Sequence, residues 1–205
     1  MIRILCADIS AADETVYGSL YEKTSAERKK RADRYLRGGD KLCCVTADAL
    51  VRIALGTENY RVEKNEFGKP YIRNHKNFYY NLSHSGCYVM IAWGENEVGV
   101  DVQQQDLAID MQSVAERCFS CREQEYVRQG GQQSLHRFYE VWTGKESYLK
   151  YTGEGLRKDM RSFSIWETQP EIRLLPDLPE DGYSVSLCTA DKEYTFELLD
   201  VRQLL

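Results

Sequence analysis

Phe78-Tyr79-Tyr80-Asn81-Leu82, Cys87-Tyr88-Val89-Met90-Ile91-Ala92-Trp93 and Glu97-Val98-Gly99-Val100-Asp101-Val102-Gln103 are three runs of strand-forming residues that decide the fold. Ser83-His84-Ser85-Gly86 and Gly94-Glu95-Asn96 separate them and read as turns. The third run alternates cleanly. Val98, Val100 and Val102 go to one face, and Gly99, Asp101 and Gln103 go to the other. A carboxylate and an amide therefore point the same way, with a bare glycine beside them.

Helical patterns lie on both sides of these strands. Thr24-Ser25-Ala26-Glu27 resembles a capping box, opening a helix that runs to about Arg37. Gly38-Gly39 breaks it, and Asp40 is the expected N-cap of a second helix. Leu42, Val45, Ala49, Leu50, Ile53 and Ala54 form its apolar stripe, and Gly56 ends it. Phe67-Gly68-Lys69-Pro70 reads as a turn. Further on, short helices are expected at 110–118 and 121–129, and a longer one from Ser134 to Tyr151. Strands follow near 162–168, 183–188 and 193–199, with a turn at Leu175-Pro176-Asp177-Leu178-Pro179. This order predicts an α+β protein of two halves, 1–100 and 101–205, sharing an interface near residue 100.

Composition narrows the function. With 205 residues and 42% hydrophobic content, the chain can bury a core, and disorder is excluded. No run approaches the roughly 20 apolar residues of a membrane span, and no apolar leader is seen, so a cytoplasmic address is expected. Seven cysteines, with Cys43 and Cys44 adjacent, make no disulfide framework. Cys118-x-x-Cys121 is half a zinc pattern without a second half, so reduced thiols are expected. With only His75, His84 and His136, a multi-histidine metal site is excluded.

Residues 1–100 carry 15 Lys+Arg against 13 Asp+Glu, whereas residues 101–205 carry 12 against 19. The basic charge gathers between Lys23 and Lys41, including Arg28-Lys29-Lys30-Arg31. That run suits a solvated helix face or a phosphorylated small molecule. A net charge of −5 argues against nucleic acid.

Four clusters bear on chemistry: Gly68-Lys69-Pro70, Asn81-Leu82-Ser83-His84-Ser85, Gly99-Val100-Asp101-Val102-Gln103 and Trp142-Thr143-Gly144-Lys145-Glu146-Ser147-Tyr148-Leu149-Lys150. Asp101 and Glu146, from different elements, can hold one hard cation. Lys69, Lys145, Lys150 and His84 supply donors for phosphate oxygens. No acyl-transfer triad, Walker loop or dinucleotide fingerprint is present. Metal-assisted transfer from a polyphosphorylated small molecule is the chemistry these residues suggest.

These four motifs, in this order and spacing, resemble the 4′-phosphopantetheinyl transferase superfamily, in particular its surfactin-synthetase-activating type, from about residue 25 to 165. The resemblance implies a pseudo-dimer of two similar α+β subdomains with an active-site cleft between them. It implies Mg2+-dependent transfer of the phosphopantetheine arm of coenzyme A to a serine of an apo acyl or peptidyl carrier protein, releasing adenosine 3′,5′-bisphosphate. Asp101 and Glu146 would then be magnesium ligands, with Gln103 a third candidate. Lys145 and Lys150 would sit near the pyrophosphate. Lys69, Ser83 and His84 would contact coenzyme A phosphates, and Arg28 and Arg31 match basic positions near the 3′-phosphate. Glu146 and Glu123 are the candidate bases. A monomer is expected, with no nucleic-acid or membrane partner.

Two departures stand out against the resemblance. Many relatives of this type have Glu at the position of Gln103, so metal affinity should be weakened rather than abolished. An Arg often found shortly after the position of Asp40 is missing, where this chain has Leu42, Cys43 and Cys44. A catalytically silent coenzyme A or carrier-binding module, and a Mg2+-dependent coenzyme A pyrophosphohydrolase, are the rival readings. Met111, Val114, Arg117, Cys118, Phe119, Arg122 and Tyr126 are the candidate carrier-facing surface, with core burial the competing reading for the apolar members.

Overall fold

Ile2–Asp8 (β1) is buried along almost its whole length, because it is flanked by strands on both edges. A computed structural model of the protein describes residues 1–155, 158–176, 178–180 and 182–205. β1 pairs antiparallel with Tyr88–Gly94 (β5), which pairs antiparallel with Tyr79–Ser85 (β4). On its other edge β1 runs parallel to Tyr194–Asp200 (β9), giving the sheet order β4-β5-β1-β9. A second sheet has the order β6-β8-β7, from Val98–Gln104, Tyr183–Thr189 and Ile172–Leu174. The small pair Val62–Lys64 (β2) and Pro70–Ile72 (β3) makes a third.

The alternation in β1 explains the layering. Leu5 and Ala7 face a helical layer of Glu14–Lys23 (α1), Ala26–Ala32 (α2) and Gly38–Leu55 (α3), packing with Leu20, Val45 and Leu50. Ile4 and Cys6 face the second sheet, meeting Met90, Val98, Val100, Val102 and Leu187. Burying each such aliphatic side chain contributes about 1.5–3 kcal/mol. A third cluster, around Phe119, Phe138, Tyr139, Val141 and Ile165, joins Met111–Cys118 (α4), Cys121–Arg128 (α5) and Ser134–Thr152 (α6).

α6 lies directly on the second sheet, and Gly99 is the reason it can. A Cβ there would sit 2.0 Å from the Ser147 carbonyl oxygen and 2.4 Å from the Tyr151 nitrogen. Asp101 shares that face of β6, so the glycine brings the strand's carboxylate close to the helix. α6 ends where Gly153 adopts φ +71°, the left-handed cap expected of the glycine there.

Several expectations need correction. α2 stops at Ala32 rather than Arg37, and Gly38-Gly39 open α3 instead of preceding it. The strand expected near 162–168 is absent; that stretch forms a 3-10 turn, Met160–Ser162, and bends, with the strand at Ile172–Leu174. Its carbonyls serve a buried lysine instead of a ladder. α1 was not anticipated, since Val16 and Leu20 are its only buried residues. Of the turn at 175–179, Asp177 lies outside the described residues. All seven cysteines are free, and no described helix is long and apolar enough to cross a membrane.

Candidate active site

β6 is an edge strand of the second sheet, and β4 an edge strand of the first. The two edges meet without a backbone ladder. Asn81 Oδ1 accepts from the Val100 N–H at 3.0 Å, Ser83 Oγ from Val102 at 3.2 Å, and Ser85 Oγ from Gln104 at 3.0 Å. The period of two in Asn81-x-Ser83-x-Ser85 puts all three on one face of β4.

Asp101 sits at this seam, 6% exposed. Its Oδ1 accepts from Ser83 Oγ at 2.8 Å and from Lys150 Nζ at 2.6 Å. Lys150 spends its other protons on Ser83 Oγ at 2.9 Å and the Val100 carbonyl at 3.1 Å. Glu146, one turn earlier on α6, makes no hydrogen bond or ion pair among the described residues. Its carboxyl is pushed above the ordinary range by burial and by the charge of Asp101, with Lys150 opposing. Two acids thus compete for one ammonium.

Cations flank them. His84 is held below its ordinary pKa by burial and then by Lys150; Arg31 adds to this, while Asp40 and Asp101 oppose it. These charges place Arg31, and Asp40 in the first turn of α3, within electrostatic reach of His84. Arg31 is exposed, its Nε donating to Tyr35 Oη at 3.2 Å. Arg28 is drawn the other way, with its Nε 4.0 Å from the fully buried Asp48, which also accepts from Tyr60 Oη and Ser25 Oγ.

Three other expected residues are engaged elsewhere. Lys145 is wholly buried, its three protons given to Glu123 Oε2 at 2.8 Å, the Met160 carbonyl at 2.7 Å and the Phe163 carbonyl at 2.8 Å. Its side chain is 0% exposed, so no phosphate reaches it. Glu123 is equally buried, with Oε1 accepting from the Ile165 N–H at 2.8 Å and Oε2 from the Ser120 N–H at 2.7 Å. It closes the capping box of α5, and the Ser120-x-x-Glu123 pattern is a signal for that role. Lys69 binds Glu97 and, at 2.9 Å, the Tyr151 carbonyl at the end of α6. Phe119 is core, whereas Arg122 is exposed, lying over Trp166 at 5.0 Å and pairing with Glu167.

Sequence reasoning named Asn81 and Ser85 in a cluster but gave them no role, and it expected a turn from Ser83, whereas β4 runs to Ser85. Their signal was the alternation of short oxygen-bearing side chains along one strand. Gln103 donates its amide to Ser85 Oγ at 3.1 Å and to the Gln104 carbonyl, leaving the amide oxygen as an acceptor. Among the described residues no three His, Cys, Asp or Glu side chains gather as a metal cluster. The two carboxylates with the Gln103 oxygen make a smaller set of hard donors, which suits Mg2+ because that ion keeps several waters.

Two acids and a lysine thus gather at a seam between two sheets, and comparison with known proteins identifies the family. Residues 97–196 match the 4′-phosphopantetheinyl transferase superfamily. The 4′-phosphopantetheinyl transferase psf-1 of Bacillus pumilus is 32% identical, over 80% of this chain and 78% of its own length. The 4′-phosphopantetheinyl transferase gsp of Aneurinibacillus migulanus is 29% identical, over 92% and 86%. The 4′-phosphopantetheinyl transferase ffp of Bacillus subtilis is 29% identical, over 83% and 84%. The chain belongs to the 4′-phosphopantetheinyl transferase superfamily.

Proposed function

We propose that this protein transfers the 4′-phosphopantetheine group of coenzyme A to a serine of an apo carrier protein. The observation that carries the reading is the Asp101–Lys150 pair at 2.6 Å, with the pKa of Glu146 raised by Asp101 and Arg31 within electrostatic reach of His84. The serine oxygen forms a bond to the phosphorus that bears the pantetheine arm. The bond from that phosphorus to the bridging oxygen breaks, and adenosine 3′,5′-bisphosphate leaves.

Lys150 is the ammonium within reach of the diphosphate, and Arg31 and His84 receive the peripheral phosphate. Glu146 takes the serine proton, directly or through one water. Glu123 has both oxygens occupied in the core, which leaves Glu146 as the candidate, acting through the water where it also holds the metal. Asp101, Glu146 and the Gln103 amide oxygen would hold Mg2+, which when bound supplies charge for the diphosphate oxygens. Arg117 and Arg122, exposed on α4 and α5, suit an acidic carrier surface. A monomer in the cytoplasm belongs to the same proposal, as does the likeness of the two halves.

Intact-protein mass spectrometry of an apo carrier with coenzyme A and Mg2+ tests it. A gain of one phosphopantetheine, lost with EDTA and in D101A and E146A, is expected. Coenzyme A binding without transfer to several carriers would leave a binding module, and bisphosphate release without a carrier would mark a pyrophosphohydrolase.

A further inference from the structure

Gln103 puts an amide on the face of β6 that carries Asp101, and an amide has two unlike ends. Its oxygen can ligate a hard cation, whereas its NH2 group repels one. Which end is free therefore decides whether position 103 helps or hinders a metal. A carboxylate there would face no such choice, because either of its oxygens can ligate.

The neighbours of Gln103 decide it. Nε2 lies 3.2 Å from the Gln104 carbonyl and 3.1 Å from Ser85 Oγ. A carbonyl only accepts, so the end turned to it is the NH2. Ser85 lies on the other side of the seam, at the end of β4, and its Oγ also accepts from the Gln104 N–H at 3.0 Å. That second bond aims the serine oxygen at β6. Each amide proton of Gln103 thus has its own acceptor, and Oε1 makes no hydrogen bond among the described residues. The carbonyl alone would be a weak hold on a half-buried side chain, since water competes for the same protons.

We propose that Ser85 is a positioning residue: by accepting from the Gln103 amide across the seam, it keeps the amide oxygen, rather than the NH2 group, as the end free for a cation. This rests on the reading of Asp101, Glu146 and Gln103 given under Proposed function. Ser85 is also a rung between β4 and β6, and the two tasks can be separated. The rung would be missed by the fold whatever stands at position 103. The orienting bond would be missed only when that residue is an amide.

The test is Mn2+ binding followed by electron paramagnetic resonance without coenzyme A, with unfolding curves in parallel. S85A should weaken Mn2+ binding about tenfold, the low end for losing a partner that orients a metal ligand. S85A/Q103A should bind no more weakly than Q103A, because the serine acts through the amide. S85A/Q103E should stay within about twofold of Q103E. S85T, which keeps the hydroxyl, should restore binding. N81A, which removes a different rung, should lose stability while keeping its Mn2+ affinity. If S85A does not fold, S85C carries the same comparison, because its sulfur is only a weak acceptor.

Unchanged Mn2+ affinity in S85A would overturn the proposal. So would an equal loss in the Q103E background, which would mean that Ser85 acts on the fold or on the ion itself. An N81A variant that reproduces the loss would do the same. Unchanged affinity in Q103A would overturn this inference alone and leave Asp101 and Glu146 as the ligands. Failure of the unaltered protein to bind Mn2+ is the distinct result that sinks the reading of the site as well.

Discussion

Lys145 and Lys150 stand five residues apart in one motif, and each ammonium is held by a carboxylate and two further oxygens. The Lys145 side chain is 0% exposed and the Lys150 side chain 26%. Five residues turn a helix by about 140°, so the two face different surroundings. Lys145 points into the third core cluster, pinning α5 and the 160–165 segment to α6. Lys150 points at the seam where Asp101 lies. Equal coordination thus serves structure in one place and chemistry in the other, and access decides which.

The largest effect that would break this comparison is on stability. K145M strands the Glu123 charge in the core and should cost about 3–5 kcal/mol in denaturant unfolding. Replacing both partners by apolar residues should recover most of that loss. A K145M midpoint close to that of the unaltered protein would show that Lys145 is not the anchor described.

K150M should do the reverse. Losing the ammonium beside the diphosphate is expected to lower kcat by roughly 10²–10³-fold, in line with removal of one preorganised donor. Its stability loss should be smaller than that of K145M, since Lys150 is open to solvent. Stopped-flow or mass-spectrometric turnover with parallel unfolding curves would decide it, and equal stability losses would collapse the distinction.

The next effect is in pH. In the metal-free protein burial and Asp101 raise the Glu146 pKa, so its carboxyl should titrate above the ordinary carboxylate range when followed by NMR without Mg2+. D101N removes the second cause and should move that metal-free titration to lower pH. The linked stability has a definite sign. A carboxyl whose folded pKa exceeds its unfolded value supports the fold at low pH and loses that support as pH rises through the folded value. E146Q should therefore be inactive yet at least as stable as the parent at neutral pH, and a clear drop in its melting temperature would contradict the shift.

The smallest expected change is in Q103E, which should tighten Mg2+ binding a few-fold by adding a charge. An unchanged titration by calorimetry would mean that position 103 does not reach the ion.

What the sequence disclosed follows from how local each signal is. β6 and α6 were legible because alternation over Val98–Gln103 and helical spacing over 134–151 are local patterns, and both placed Asp101, Glu146 and Lys150 correctly on their elements. The partnership of Lys145 with Glu123 was not, because it depends on how α5 docks against α6. The segment 162–168 looked like a strand, but it forms bends, and the Phe163 carbonyl in it accepts from Lys145. Ser83 was expected in a turn, whereas it lies within β4, and its service to β6 depends on two edges meeting from different sheets.

One pairing also bears on how the molecule is made. β1 and β9 lie side by side from Ile2↔Tyr194 to Asp8↔Asp200. A ribosome releases the first of these long before the second, so the sheet that β1 begins stays one strand short for nearly the whole of synthesis. During that interval β1 presents an open, apolar edge, the kind of surface that invites chaperones or a neighbouring nascent chain. β9 is then the closing latch of this sheet, and mutations in it should show first as poor yield rather than as poor catalysis.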